Sequence, residues 1–256
     1  MEKKLISYFM LNILKPKKPK ITWWSTVEGL EKVTPILPSK DAPLPSYWKS
    51  IPRQATANPF DKGTIKACPA LPDFFDSGYV MPLWCDTHFS FEQKQGTSVN
   101  YTVTTSDTRF NFTHHGDDQF KDYLPDRIKD SVKMVLKANC PWRVKTPPGY
   151  SMLQFPMYYH FDQMFEVLPG LIWTDIHHEL NQQMVIKEFG EFTLKRGHPL
   201  ALYIPYRREE FTDVIQGPTA QNMAWDSEAR THLWTKFRSG YRFHQAALKK
   251  CPFSGE

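Results

Sequence analysis

Proline and glycine turns at short intervals between residues 141 and 205 constrain this chain more than any other feature of its sequence. Two prolines fix φ and a following glycine supplies a positive φ, so Pro147-Pro148-Gly149 predicts a reversal of the chain. Arg196-Gly197-His198-Pro199 predicts a second turn. The segments between such turns are short, which favours β-strands over helices.

Three segments show patterns that are typical of strands. Residues 191–195 alternate polar and apolar side chains, which is the period of a half-buried strand. Residues 200–204 form a continuous apolar run, as in a strand buried on both faces. Residues 89–91 and 101–105 alternate like the two strands of a hairpin, with Gly96 in its turn. The sequence therefore predicts a mainly β fold, with a sandwich or barrel-like core.

The order of these turns and strands resembles the dUTPase-like β-clip fold. Residues 147–150 (PPGY) stand where that family has a pro-lys-gly-tyr turn, and residues 170–172 (GLI) stand where it has a gly-val-ile-asp strand. The resemblance implies a β-clip over about residues 141–210. Because β-clip proteins commonly form trimers, it also implies a homo-oligomer. An unrelated β-sandwich with similar turns is the alternative.

The residues that this family uses for catalysis do not occupy the matching positions. The resemblance places Trp173 where the family has the aspartate that positions the attacking water, and Ile176 where it has a tyrosine that packs on the deoxyribose. Neither side chain accepts a proton from water. Residues 150–170 contain no arg-ser-gly phosphate motif, and no glycine-rich C-terminal arm follows. We therefore expect neither dUTPase activity nor a cofactor.

One polar segment could carry chemistry of another kind. Asp175, His177 and Glu179 alternate, so on an extended strand their side chains would face the same side. With His160 from a neighbouring strand, they could hold a divalent metal. A metal-dependent hydrolase or oxygenase acting on a nucleotide or another small molecule is therefore the alternative function. Their spacing matches no familiar metal signature, and a polar cluster at a strand edge or subunit contact is the commoner explanation.

The net charge is concentrated at the N-terminus. Residues 1–20 contain six lysines against Glu2, which accounts for the whole net charge of +5. Only this basic arm has a charge-based case for nucleic-acid binding. Its apolar run is too short to span a bilayer, and no small-residue cleavage site follows it. An amphipathic helix that docks on a partner fits this pattern, and a solvated tail is the alternative.

Two further segments complete the expected organisation. Residues 21–221 form a β-rich core that begins with a Pro-rich wrap, in which Trp23, Trp24 and Trp48 are the expected anchors. Residues 222–250 contain no proline and repeat apolar residues at intervals of three and four, which predicts a long C-terminal helix. Its apolar stripe faces either the core or a neighbouring chain. The four cysteines form no Cys-x-x-Cys pair, so buried free thiols in a reducing cytoplasm are expected.

Five sequence blocks, taken in order, resemble an uncharacterised family encoded by tailed bacteriophages. The blocks are ITWWSTVEGLEKVTP, KACPALPDFFDSGYVMPLWCD, CPWRVKTPPGYSMLQFPMYYHF, LPGLIWTDIHHELNQQ and KRGHPLALYIPYRRE. Family members usually carry an aspartate where this chain has Trp173. The resemblance covers roughly residues 21–210 and implies a product made in the cytoplasm of a host bacterium and carried in the virion. We therefore expect a non-enzymatic binding or assembly protein, a structural or decoration component of the virion.

Overall fold

The computed structural model describes residues 18–56, 63–68, 70–93, 99–157, 159–161 and 163–230. The strands are β1 Thr22–Ser25, β2 Leu37–Pro38, β3 Tyr79–Pro82, β4 Thr87–Gln93, β5 Val99–Thr105, β6 Phe112–His115, β7 Met134–Lys145, β8 Tyr150–Pro156, β9 Phe165–Val167, β10 Gly170–Ile172, β11 Glu179–Ile186, β12 Gly190–Leu194 and β13 Pro199–Arg207. The helices are Leu30–Val33, Ser46–Ser50, Ala70–Phe75, Asp126–Lys129 and residues 220–230. Short 3-10 turns lie at Ser39–Asp41, Ile65–Ala67, Asp117–Gln119 and Lys121–Tyr123. The prediction of a mainly β protein is confirmed.

The chain divides into two compact units, with boundaries after Pro45, Asp76 and Arg208. The first unit contains all the strands of the described residues. In the second unit, the ring of Trp48 packs edge-on against Phe75 with a centroid distance of 5.1 Å. All four predicted metal ligands lie in the first unit.

Three antiparallel sheets make up the first unit. The first sheet has the order β1-β7-β11-β9 with β6 beside β7, the second has the order β10-β8-β13-β3-β2, and the third has the order β12-β4-β5. Because β7 is 12 residues long, β1 pairs with its C-terminal end and β6 with its N-terminal half along the same edge. β13 has a partner on each side, and its residues 199–203 are buried. The predicted strand that is buried on both faces is therefore confirmed.

One hydrophobic core receives side chains from all three sheets. Phe89 of the third sheet, Leu136 of the first and Tyr203 of the second are each 0% exposed and belong to the same cluster. The Phe89 ring stacks on Phe192 at 4.9 Å and meets Phe112 edge-on at 5.3 Å. The alternation along β4 points its phenylalanines into this core, and the predicted pairing of β4 with β5 is confirmed. Gly96, the predicted turn residue, lies outside the described residues.

A chain of polar side chains crosses this core between the first and second sheets. Gln182 of β11 donates from Nε2 to the Tyr203 hydroxyl at 2.7 Å. The hydroxyl of Tyr203, on β13, donates in turn to Oε1 of Gln154 on β8 at 2.6 Å. Gln154 completes the chain by donating to the carbonyl oxygen of Leu168 at 2.8 Å. Burial raises the pKa of Tyr203 well above its ordinary value, so the phenol remains a neutral donor.

The two predicted turns are present, and each carries the chain from one sheet to another. Gly149 has a φ of 81° and Gly197 a φ of 87°. The first of these glycines lies between β7 and β8, and the second between β12 and β13. In both cases the flanking strands belong to different sheets. The turns therefore set the crossings between layers and do not close hairpins.

The N-terminal wrap contains more regular structure than the prolines predict. Trp23 and Trp24 lie in β1, which pairs with β7. β2 contains Pro38 and pairs with β3 at an edge of the second sheet, where a missing backbone N–H costs no ladder bond. Trp23 packs against Tyr79 with a ring-centroid distance of 5.6 Å and is an anchor, as predicted. Trp24 is 38% exposed and is not an anchor, because neighbouring residues of a strand face opposite sides of the sheet.

The two predicted terminal elements lie mostly outside the described residues. Of the basic arm, residues 1–17 are outside them, and so are residues 231–250 of the predicted C-terminal helix. Residues 220–230 are helical, so a helix of the predicted length is not shown. Within the described part of the chain, no helix is long and apolar enough to cross a bilayer.

Substituting Gly78 tests the contact between the segment preceding β3 and β13. Gly78 has a φ of 77°, and a Cβ at this position would lie 2.2 Å from the carbonyl oxygen of Tyr203. We expect Gly78→Ala to lower the free energy of unfolding by roughly 3 kcal/mol or more, because the backbone strain adds to the displacement of β13. Urea denaturation measures this loss.

Gly197→Ala is the matched control. Gly197 has a φ of 87°, but a Cβ there would meet no atom within 4 Å. Its substitution should cost only the backbone strain, about 1–2 kcal/mol. Equal losses in the two variants would contradict the role assigned to the close approach at Gly78.

Candidate functional site

Three of the four predicted site residues, Asp175, His177 and Glu179, lie in or just after a turn that follows β10. The backbone N–H groups of Ile176 and His177 both donate to the carbonyl oxygen of Trp173, at 3.0 and 2.8 Å. Residues 173–177 are therefore folded into a turn, and the next strand begins only at Glu179. The extended geometry that would place Asp175, His177 and Glu179 on one face is not formed here, because the turn bonds curl the backbone.

An ion pair holds the carboxylate of Asp175. Arg208 donates from Nη1 to Oδ1 at 3.0 Å and from Nη2 to Oδ2 at 2.5 Å, which is a bidentate arrangement. The backbone N–H of Gly149 donates to the same Oδ2 at 2.9 Å. The side chain of Asp175 is only 9% exposed. Hydrogen bonding by Arg208 lowers the pKa of Asp175 below its ordinary value, so this carboxylate is a weak base.

Arg208 is the residue that organises the turn. Beyond its ion pair with Asp175, it donates from Nη1 to the carbonyl oxygen of Tyr150 at 3.2 Å and to the hydroxyl of Ser151 at 2.6 Å. Its guanidinium carbon lies 4.1 Å from the centroid of the Trp173 ring, a cation–π contact. Arg208 could not be predicted as a site residue from the sequence, since its position just after β13 carries no pattern that points to the turn. We call the side chains of Arg208, Asp175 and Trp173 the arginine lock.

The other three predicted ligands lie in different surroundings. Glu179 faces Arg143 at 3.7 Å and its side chain is 46% exposed. His177 is exposed. His160 lies in the connection between β8 and β9, where its backbone N–H donates to the carbonyl oxygen of Met157 at 3.3 Å. Among the described residues, no three His, Cys, Asp or Glu side chains lie close enough together to hold a metal ion. The metal site therefore stays a prediction.

The cysteines of the described residues are free thiols. Cys85 and Cys140 are buried, as predicted, whereas Cys68 is exposed. Burial raises the pKa of Cys140 to about 12 and raises that of Cys85 as well. Both buried thiols therefore remain protonated at neutral pH and lack the thiolate that a nucleophile needs. Cys251 lies outside the described residues.

Three large apolar side chains at this turn face solvent. Leu171 is 47% exposed, Trp173 is 52% exposed and Ile176 is 72% exposed. We call these three side chains the apolar turn. The two positions at which the β-clip resemblance places catalytic residues, Trp173 and Ile176, both belong to it. The arrangement is thus a surface suited to contact with another molecule, on a backbone that the arginine lock holds in place.

Comparisons with known proteins identify no family for this chain. No protein-family model and no curated protein matches the chain. A solved structure described as native EIAV dUTPase is similar at 9% sequence identity with a TM-score of 0.31, over 56% of this chain and 84% of that chain. At so low a TM-score the similarity supports no conclusion about fold or function.

Removing the charge of Asp175 tests the arginine lock. Asp175→Asn preserves the shape of the side chain but leaves Arg208 without its counter-ion, so we expect the midpoint of thermal unfolding at neutral pH to fall by several degrees. Since the folded-state pKa of Asp175 is lowered, the charged carboxylate stabilises the fold at pH values above its unfolded-state pKa. The difference between wild type and variant should therefore begin to shrink as the pH falls below about 4, near the unfolded-state pKa, and should vanish only below the folded-state pKa.

Asp122→Asn is the control for this measurement, because Asp122 is an exposed carboxylate of the same unit. Its thermal midpoint should follow that of the wild type at every pH. A difference between wild type and Asp175→Asn that persists unchanged at low pH would show that the ion pair is not its cause.

Proposed function

We propose that this chain is a non-enzymatic binding or assembly protein that associates with other protein chains through the apolar turn. The observation that carries the proposal is the exposure of Leu171, Trp173 and Ile176 within six residues of one another, at 47%, 52% and 72%. Clustered exposed apolar side chains are typical of protein interaction sites. Tryptophan in particular contributes strongly to the centre of interfaces.

The arginine lock supports this proposal because it fixes the backbone that presents these side chains. A surface that is already ordered loses little conformational entropy on binding, which favours association. The same lock withdraws Asp175 from acid–base chemistry, since its carboxylate is paired with Arg208 and its pKa is lowered. The polar residues of the turn thus support a binding role better than a catalytic one.

The second unit offers a further apolar surface for assembly. Between its boundary and the helix at residues 220–230, the chain has no regular structure. In this segment Phe211 is 75% exposed, Val214 is 77% exposed and Ile215 is 98% exposed. Irregular segments with exposed apolar side chains are suited to contacts between subunits. This supports a homo-oligomer, with a trimer as the expected state if the β-clip resemblance holds.

We further propose that the chain is part of a phage particle. It is supported by the five sequence blocks of residues 21–210 that resemble a family encoded by tailed bacteriophages. Within this proposal the chain is made in the host cytoplasm and becomes a structural or decoration component of the virion. The basic arm of residues 1–20 would then supply contacts with nucleic acid or with an acidic partner.

Self-association of the purified chain tests the role of the apolar turn. We expect sedimentation velocity over a concentration series to show an oligomer for the wild type. The double variant Trp173→Ser, Ile176→Ser should dissociate at concentrations where the wild type stays assembled, because the apolar area lost from the interface no longer offsets the entropy of association.

Tyr123→Ser is the matched control, since Tyr123 is 81% exposed but lies outside the apolar turn. Its sedimentation should equal that of the wild type. Circular dichroism of all three proteins establishes that they are folded. An unchanged oligomer in the double variant, or a wild type that is monomeric throughout, would contradict assembly of the chain through this turn.

The virion component is tested separately. Quantitative mass spectrometry of particles of the encoding phage, purified through a density gradient, should find the chain at a fixed ratio to the major capsid protein. Treatment of the particles with high salt should leave that ratio unchanged, since apolar contacts are not screened. Absence of the chain from purified particles would rule out a structural or decoration role in the virion.

A further inference from the structure

A cleft in the first unit lies outside the apolar turn and the arginine lock. Its volume is about 620 Å³, within the range that small-molecule sites occupy. Among the residues lining it are Glu28, Leu30, Val33, Trp84, Phe110 and Arg196. They come from the connections at one end of the sheets, between β1 and β2, β3 and β4, β5 and β6, and β12 and β13.

The inner lining of this cleft is apolar. Leu30, Trp84 and Phe110 are 4%, 2% and 6% exposed, and all three belong to the main hydrophobic core. The Trp84 ring stacks on Phe112 with a centroid distance of 6.3 Å, which holds it in place. The exposed Val33 extends the apolar lining to the rim. A ligand in the cleft would therefore meet hydrocarbon on one side.

Two of the carboxylates at the rim are already neutralised by partners within the protein. Asp86 accepts from the backbone N–H of Arg196 at 2.8 Å and from Nζ of Lys195 at 2.9 Å, and these bonds lower its pKa. Asp107 accepts from Nε of Arg109 at 3.0 Å and from Nη2 at 2.6 Å, and this pairing lowers the pKa of Asp107 to about 2. Both acids are thus ionised and paired, and neither offers a free charge to a ligand.

The guanidinium of Arg196 lies close enough to Asp86 to help lower the pKa of that carboxylate, but it is not bonded to it. Its backbone N–H holds Asp86, but its side chain forms no hydrogen bond or ion pair with any residue that the structure describes. An arginine side chain carries five donors in a planar fork that matches a carboxylate or a phosphate. The remaining charged residue of the rim is Glu28, which is exposed and likewise has no partner among the described residues.

We propose that this cleft binds a small amphipathic anion, a carboxylate or phosphate monoester with a hydrocarbon body. The guanidinium of Arg196 pairs with the anionic group, and the hydrocarbon lies along Leu30, Val33 and Phe110. Glu28 opposes the negative charge and limits the affinity. This site is separate from the apolar turn, so it stands or falls independently of the proposed assembly function.

Isothermal titration calorimetry with four simple probes tests the site on the full chain. Hexanoate and hexyl phosphate carry both features, acetate lacks the hydrocarbon body, and hexylamine carries the opposite charge. We expect hexanoate and hexyl phosphate to bind with dissociation constants of about 1 mM or below, and acetate and hexylamine to show no saturable binding. Absence of binding by both amphipathic anions, or equal binding of hexylamine, would overturn the proposal.

Two substitutions that each remove one charge, with opposite expected effects, locate the site. Arg196→Gln should weaken hexanoate binding about tenfold, because the charged donor is lost. Glu28→Gln should strengthen it roughly twofold, since a nearby like charge is removed. Arg127→Gln, a substitution of an exposed arginine that does not line the cleft, should leave the affinity unchanged.

These variants remain informative because all three side chains are exposed, so their loss does not threaten the fold. Equal affinity of wild type and Arg196→Gln for hexanoate would overturn the assignment of the anion site. The double variant of the apolar turn should bind hexanoate as the wild type does. This result would show that binding in the cleft does not depend on self-association through the apolar turn.

Discussion

The hydroxyl of Tyr203 ties together two of the three sheets from inside the core. It donates to Gln154 of its own sheet and accepts from Gln182 of the opposite sheet, at 2.6 and 2.7 Å. Both glutamines are buried, so their hydrogen bonds to this group offset part of the loss of water. A shift of one residue along β11 would turn Gln182 away and break its bond to the Tyr203 hydroxyl. The polar chain therefore fixes the register in which the apolar residues pack.

A second polar arrangement governs the surface at the end of the same sheet. Arg208 follows β13 directly, and its bonds to Asp175, Tyr150 and Ser151 join the end of that strand to β8 and to the turn. The charges of Arg208 and Asp175 are paired with each other, and this pair holds the backbone of the turn in place. The apolar turn remains exposed to other molecules, and its exposure is the basis of the proposed association.

Several elements could be predicted from the sequence because their signals are local. The alternation along β4 and β5, the apolar run of β13 and the glycines with positive φ all lie within a few residues of the structure they specify. Asp175 illustrates the limit of such patterns. Its alternation with His177 and Glu179 predicts one face of a strand, but local backbone bonds form a turn and Arg208, 33 positions away, holds the carboxylate.

The sequence alone determined that this chain is mainly β. It also placed Trp173 and Ile176 at the positions where the β-clip resemblance would have a catalytic aspartate and tyrosine. Only the tertiary structure decided which charged groups are paired and which are free. Asp86 accepts hydrogen bonds from Lys195 and from the backbone N–H of Arg196, which lie 109 and 110 positions further along the chain. The Arg196 guanidinium forms no hydrogen bond or ion pair with a described residue. The reason is physical: electrostatic energy depends on distance in space, and a linear pattern does not contain the distance between two connections that meet only after the sheets have packed.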